Sequence, residues 1–177
     1  MCSHYYKIYT MWEYPSKYLF DEIKERALQK KAFENREMWS ILACSIMGLA
    51  ALQEKEIRHE CLTTRAILMS EGNVKVADPL AAGLLPNYDC IFNNRNLKNI
   101  YLSPEQCEAI ESQKPIINKN SYKNDVFTMG MILLECGLLE RQDQCYLEEC
   151  SNINWSKVEA NVCRFGHVYD EDLKKML

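Results

Sequence analysis

The sequence predicts an α+β fold that is mainly α, and three stretches carry that expectation. From Arg36 to Lys55, Met38, Leu42, Ser45, Leu49 and Leu52 recur at helical spacing, with Ile41 and Ile46 widening the stripe. From Asp125 to Cys136 the chain is almost wholly apolar, as in a helix buried on all sides. Between them, Ile67-Leu68-Met69 and Val74-Lys75-Val76 form two short arms joined by Ser70-Glu71-Gly72-Asn73. Gly72 and Asn73 both tolerate positive φ, so this stretch reads as a β-hairpin.

Size and composition bound the rest. A chain of 177 residues with 47% apolar content buries one substantial core. A net charge of −4 argues against nucleic acid or an anionic membrane as the main partner. Other proteins are the expected partners. No apolar run approaches the roughly 20 residues that span a bilayer, and the N-terminus lacks a basic-then-apolar signal pattern. The expected location is therefore cytoplasmic. Nine scattered cysteines form no C-x-x-C pair, which points to buried thiols rather than disulfides or zinc.

In chain order, Ile8 to Glu13 is a β-like run that Pro15, Ser16 and Lys17 break. Leu19 to Leu28 reads as a charged amphipathic helix with Leu19, Ile23 and Ala27 on one face. Pro79 to Asn99 is polar and irregular and reads as a loop. Gln106 to Ile110 is briefly helical, and Lys114 to Lys123 is another loop. Gly137 is expected to cap the apolar helix. Ser156-x-x-Glu159 reads as a capping box opening a helix through Val162. Tyr169 opens a last helix, with Asp170, Glu171 and Asp172 in its favourable first turn.

The hairpin fixes two polar ends side by side. His59-Glu60-Cys61-Leu62, continuing through Ala66-Ile67-Leu68, precedes it, and Asp78-Pro79-Leu80 follows it. This arrangement resembles the catalytic core of a eukaryotic protein kinase, in which H-R-D-L-x-x-x-x-N-I-L leads through a hairpin to D-F-G. Tyr101-Leu102-Ser103-Pro104-Glu105 resembles the A-P-E motif, and Asp125-Val126-Phe127-Thr128-Met129-Gly130 resembles D-x-W-S-x-G. The resemblance covers nearly the whole chain. It implies a single partial domain: residues 1–18 as the last small-lobe strand and hinge, and 19–177 as a large helical lobe truncated at its C-terminal end. It places Trp12 as gatekeeper, Glu13 and Tyr14 in the hinge, Leu68 and Asp78 beside nucleotide, and Asp78 on a metal. His59, Glu105 and Asp125 take architectural roles.

The positions that do chemistry depart from the family pattern. Phosphoryl transfer needs positioned phosphates, bound magnesium and an oriented hydroxyl. Cys61 stands where the aspartate base belongs, Thr63 where the phosphate-steadying lysine does, and Ala66 where the second magnesium ligand does. Pro79 and Leu80 replace the Phe-Gly of D-F-G, Lys98 a threonine that touches the base, and Pro15 a hinge N–H donor. The six glycines form no G-x-G-x-x-G. The resemblance therefore implies a pseudokinase that binds or scaffolds other proteins, with ATP and magnesium held weakly or not at all. The alternatives are a piece of a longer ATP-dependent serine/threonine kinase, and a truncated product with no independent role.

Overall fold

The computed structural model describes residues 15–70, 72–77, 100–112, 122–147 and 152–177. The run Ile8–Glu13 and the loop 79–99 lie outside the described residues, as do Trp12, Glu13, Tyr14 and Asp78.

The described part is mainly helical with one small antiparallel sheet of order β1-β2-β3. Strand β1 is Lys17–Tyr18, β2 is Ile67–Ser70 and β3 is Asn73–Val76. Tyr18 pairs with Leu68, and Leu68 with Lys75. Gly72 takes φ +83° in the hairpin turn, as its lack of a Cβ allows. Lys17, read from sequence as part of a break, instead adds a strand. Two residues are too few for a period-2 signal, and pairing with β2 supplies what local propensity does not.

Helix α1 is Leu19–Gln29, and it buries Leu19 and Ile23. Ala27 is exposed, so the apolar face is narrower than its spacing implied. Arg26 fills that side instead: its guanidinium forks onto Glu37 at 3.0 and 2.6 Å and lies 4.1 Å over the Phe33 ring. That pair locks α1 to α2, Asn35–Gln53. Helix α2 buries Met38, Ile41, Leu42 and Ser45, half-buries Leu49 and Leu52, and leaves Ile46 exposed.

Helix α3 is Pro104–Ser112 and α4 is Tyr122–Leu138. Helix α4 begins one turn earlier than its apolar run suggested, because Tyr122, Lys123 and Asn124 precede the first apolar position. It crosses the centre of the core with Met129, Met131, Ile132, Leu133, Leu134 and Cys136 all buried. Gly137 does not cap it. It lies inside the helix, against Phe165 and Tyr169, and Leu139 takes the left-handed conformation (φ +53°) after the last turn.

Helix α5 is Trp155–Gly166, and its N-cap is Asn154, whose Oδ1 accepts the Lys157 N–H. The Ser156–Glu159 capping box is therefore displaced by a better acceptor two residues earlier. Helix α6 is Glu171–Lys174, capped by Asp170, which accepts the Leu173 N–H at 2.8 Å. Phe165 and Leu173 carry these two helices into the main core. Of the described cysteines, Cys61, Cys107, Cys136 and Cys145 are buried, Cys44 is half-buried and Cys163 exposed; none is in a disulfide. Among the described residues, no helix is long and apolar enough to cross a membrane.

Candidate functional site

The loop between α2 and β2 is held from three directions. From α4, Asp125 accepts the His59 N–H at Oδ2 (3.1 Å) and the Glu60 N–H at Oδ1 (3.0 Å). Two consecutive backbone donors reach one carboxylate because Glu60 takes the left-handed conformation, φ +58°. From the end of β3, the Ala77 carbonyl lies 2.8 Å from His59 Nε2. A carbonyl only accepts, so Nε2 carries the proton. Nδ1 is buried and has no hydrogen-bond partner among the described residues. From α1, the Phe20 N–H donates to the Thr64 carbonyl at 3.0 Å, and Arg65 lies 3.9 Å over the Phe20 ring.

Asp125 is 5% exposed and sits in the first turn of α4, where the helix dipole favours an anion. Burial pushes its carboxyl up from the ordinary aspartate range, against the two N–H bonds that hold it down. The anchor therefore stands on geometry: two consecutive backbone donors, with one carboxylate oxygen for each.

The loop brings Cys61, Thr63 and Ala66 into the same short span, and all three are buried. They form a poor site for a magnesium nucleotide. Magnesium takes hard oxygen ligands in near-octahedral geometry. Ala66 has no side-chain oxygen, and Cys61 offers sulfur. Thr63 Oγ1 already accepts the Arg65 N–H at 3.2 Å. Among the described residues, no cluster of three or more His, Cys, Asp or Glu could hold a metal ion. The donor set of Cys61, Thr63 and Ala66 does not fit the metal that phosphoryl transfer requires. Leu68 is half-buried in β2, and Glu105 is exposed in the first turn of α3, 20 residues from Asp125 in sequence and not joined to it by any described hydrogen bond.

A second anchor was not foreseen from the sequence. Tyr101 Oη donates to Glu135 Oε2 at 2.6 Å and accepts the Gln142 N–H at 3.0 Å. Thr128 Oγ1 donates to the Tyr101 carbonyl, and Tyr146 Oη to that of Leu102. Ser103 Oγ bonds Asn124 Oδ1 at 2.8 Å. Segment 101–103 is thereby fastened along α4. The available signal was Glu135 itself, a lone charge inside an apolar helix, where an unpaired carboxylate is too costly to bury.

Burial pushes Glu135 up from the ordinary glutamate range, while the Tyr101 hydroxyl and the Arg141 cation oppose that and Asp143 adds to it. A carboxyl whose folded-state pKa is raised contributes stability at low pH that is lost as pH rises through that value. The melting-temperature difference between Glu135→Gln and the parent should therefore become more positive from pH 4 towards neutrality. Melts across about pH 4–8 measure it; a difference that does not vary with pH would show that Glu135 ionises as freely folded as unfolded.

No family model matches the chain. It is 28% identical over 134 residues to the serine/threonine-protein kinase pakH of Dictyostelium discoideum, a match covering 73% of this chain and 23% of that protein. The chain thus spans about a quarter of the length of that curated relative. Over part of its length, this chain is similar to a serine/threonine protein kinase.

Proposed function

We propose that this chain is a protein kinase-like segment that transfers no phosphate and acts as a protein-binding or scaffolding module. One observation carries the reading. The loop 57–66 keeps a full set of architectural tethers, through Asp125, His59 and Ala77, while its chemical positions hold Cys61, Thr63 and Ala66. A thiol is a weak hydrogen-bond acceptor and carries none of the charge that orients a substrate hydroxyl. Asp78, Trp12, Glu13 and Tyr14 remain proposed nucleotide neighbours on the resemblance alone, with Leu68, and ATP–magnesium is expected to bind weakly or not at all. His59, Glu105 and Asp125 are proposed as structural motif residues.

The similarity to a named kinase favours a second reading, in which the segment belongs to a longer ATP-dependent serine/threonine kinase. One assay on this chain can overturn the inactive reading. The chain is incubated with labelled ATP, magnesium and mixed protein substrates, beside Cys61→Ala. We expect no transfer above that of the variant. Transfer that Cys61→Ala removes would establish Cys61 in catalysis and overturn the inactive reading.

A further inference from the structure

A cleft of about 460 Å³ opens where the first turns of α2 face β1, the start of α1 and the tip of the β2–β3 hairpin. Its floor is apolar, formed by Ile41, Met69 and Val74. A volume within roughly 300–1,000 Å³, an apolar floor and a few converging polar groups are the marks of a ligand site. The charged wall of the cleft is closed on itself. Lys17 bonds Glu22 at 2.8 Å and also reaches Glu25. Arg26 joins Glu22 at 2.5 Å and forks onto Glu37. Ser70 Oγ lies 3.1 Å from Ser16 Oγ. Three polar side chains of the same cleft are left over. Arg36, Ser40 and Asn73 make no side-chain hydrogen bond or ion pair among the described residues. Arg36 and Ser40 lie one turn apart on α2, and Asn73 comes from the hairpin tip.

We propose that this cleft binds a short acidic segment of another protein. The segment seats an aspartate or glutamate carboxylate on Arg36, a flanking apolar side chain on the floor and a backbone amide on Asn73. The planar guanidinium fork of Arg36 matches one carboxylate with two N–H bonds. A basic segment finds no open partner, because Glu22 and Glu37 already accept from Lys17 and Arg26. A phosphate group, with nearly two charges, would meet those same carboxylates as neighbours. Asn73 offers both a donor and an acceptor, as a peptide backbone does in return. Arg36, Gly72 and Asn73 are exposed, so the cleft is open at its rim. A free aliphatic acid would be covered there on too few sides, whereas a peptide gains contacts beyond the cleft at both ends. The proposal gives the protein-binding reading its site and does not depend on whether the chain transfers phosphate, which the labelled-ATP assay tests separately.

Isothermal titration calorimetry of the full chain at low salt tests this. The probe is the acetylated, amidated pentapeptide Ala-Leu-Glu-Leu-Ala, beside counterparts with glutamine or lysine at the centre. The glutamate peptide should bind, and the other two should bind at least about tenfold more weakly, the loss expected for a charge-assisted hydrogen bond. Arg36→Gln should weaken the glutamate peptide by about the same factor with melting unchanged, because Arg36 makes no bond within the described chain. Arg36→Lys should recover part of the loss, since it keeps the charge without the fork. Lys55→Gln, beyond the far end of α2, removes the same charge outside the cleft and should leave binding unchanged. No binding of the glutamate peptide at about 1 mM overturns the proposal. So does equal binding of the glutamine or lysine peptide, or full binding by Arg36→Gln. Equal loss in Lys55→Gln shows general charge attraction, and hexanoate binding as tightly as the peptide shows a free-acid site; either result overturns it too.

Discussion

Asp125→Ala is expected to lower the melting temperature by roughly 5–20 °C. The substitution removes both acceptors of the His59 and Glu60 N–H groups, 65 or more residues away in sequence. Each buried donor left without a partner costs about 1–3 kcal/mol. For a chain of this size, each kcal/mol shifts the midpoint by roughly 2–4 °C. Asp125→Asn separates the hydrogen-bond account from simple loss of volume. Its Oδ1 can serve one donor and its Nδ2 neither, so it should fall between Ala and the parent. Burial already opposes ionisation of this carboxyl, so loss of the negative charge should cost less than loss of the second acceptor. Circular-dichroism melts of the three proteins decide it. If Asp125→Ala melts with the parent, the loop is held by His59 and Phe20 alone.

Elements with a sustained pattern were legible in the sequence. The stripe from Met38 through Ser45 gives α2, and the unbroken apolar run gives α4. The Gly72 turn between two β-prone arms gives the hairpin. Asp125 takes an architectural role through the kinase resemblance, and the structure places the His59 and Glu60 N–H groups on its two oxygens. Three features were not legible, two because tertiary contact outranked a local rule and one because two local rules competed. Strand β1 is two residues long and exists only by pairing with Met69 and Leu68. Asn154 outcompetes Ser156 as a cap, a choice between two acceptable residues that only backbone direction settles. Tyr101 and Glu135 meet across 34 residues of chain, and no periodicity encodes that pairing. In the loop 57–66, residue types showed what was missing from Cys61, Thr63 and Ala66. That the Thr63 hydroxyl is engaged by Arg65 needed coordinates.

Gly137 is where sequence and structure differ most usefully, and it supports the second large effect. A glycine near the end of an apolar helix reads as a cap, chosen for its backbone freedom. Here it is helical and buried, and what matters is the missing side chain. A Cβ built on Gly137 lies 2.3 and 2.4 Å from two ring carbons of Phe165 and 3.0 Å from the Tyr169 ring. Phe165 is fully buried, and its ring centroid lies 4.5 Å from that of Tyr169. The obstruction is thus the body of a ring that is packed on its far side. To admit a methyl group, α5 must move away from α4. Overpacking of this kind costs about 1–3 kcal/mol, which outweighs the gain of up to ~1 kcal/mol in helix propensity. Gly137→Ala should therefore melt below the parent, by up to roughly 8 °C. Gly130→Ala supplies the contrast on the same helix: nothing lies within 4 Å of its Cβ, so propensity alone should hold it level or raise it slightly. Phe165→Leu removes the ring that obstructs Gly137. In that background Gly137→Ala should cost less than in the parent, a coupling that a double-mutant cycle measures directly. Equal cost in both backgrounds would locate the strain elsewhere and refute the account of Gly137 as the contact through which α5 approaches α4.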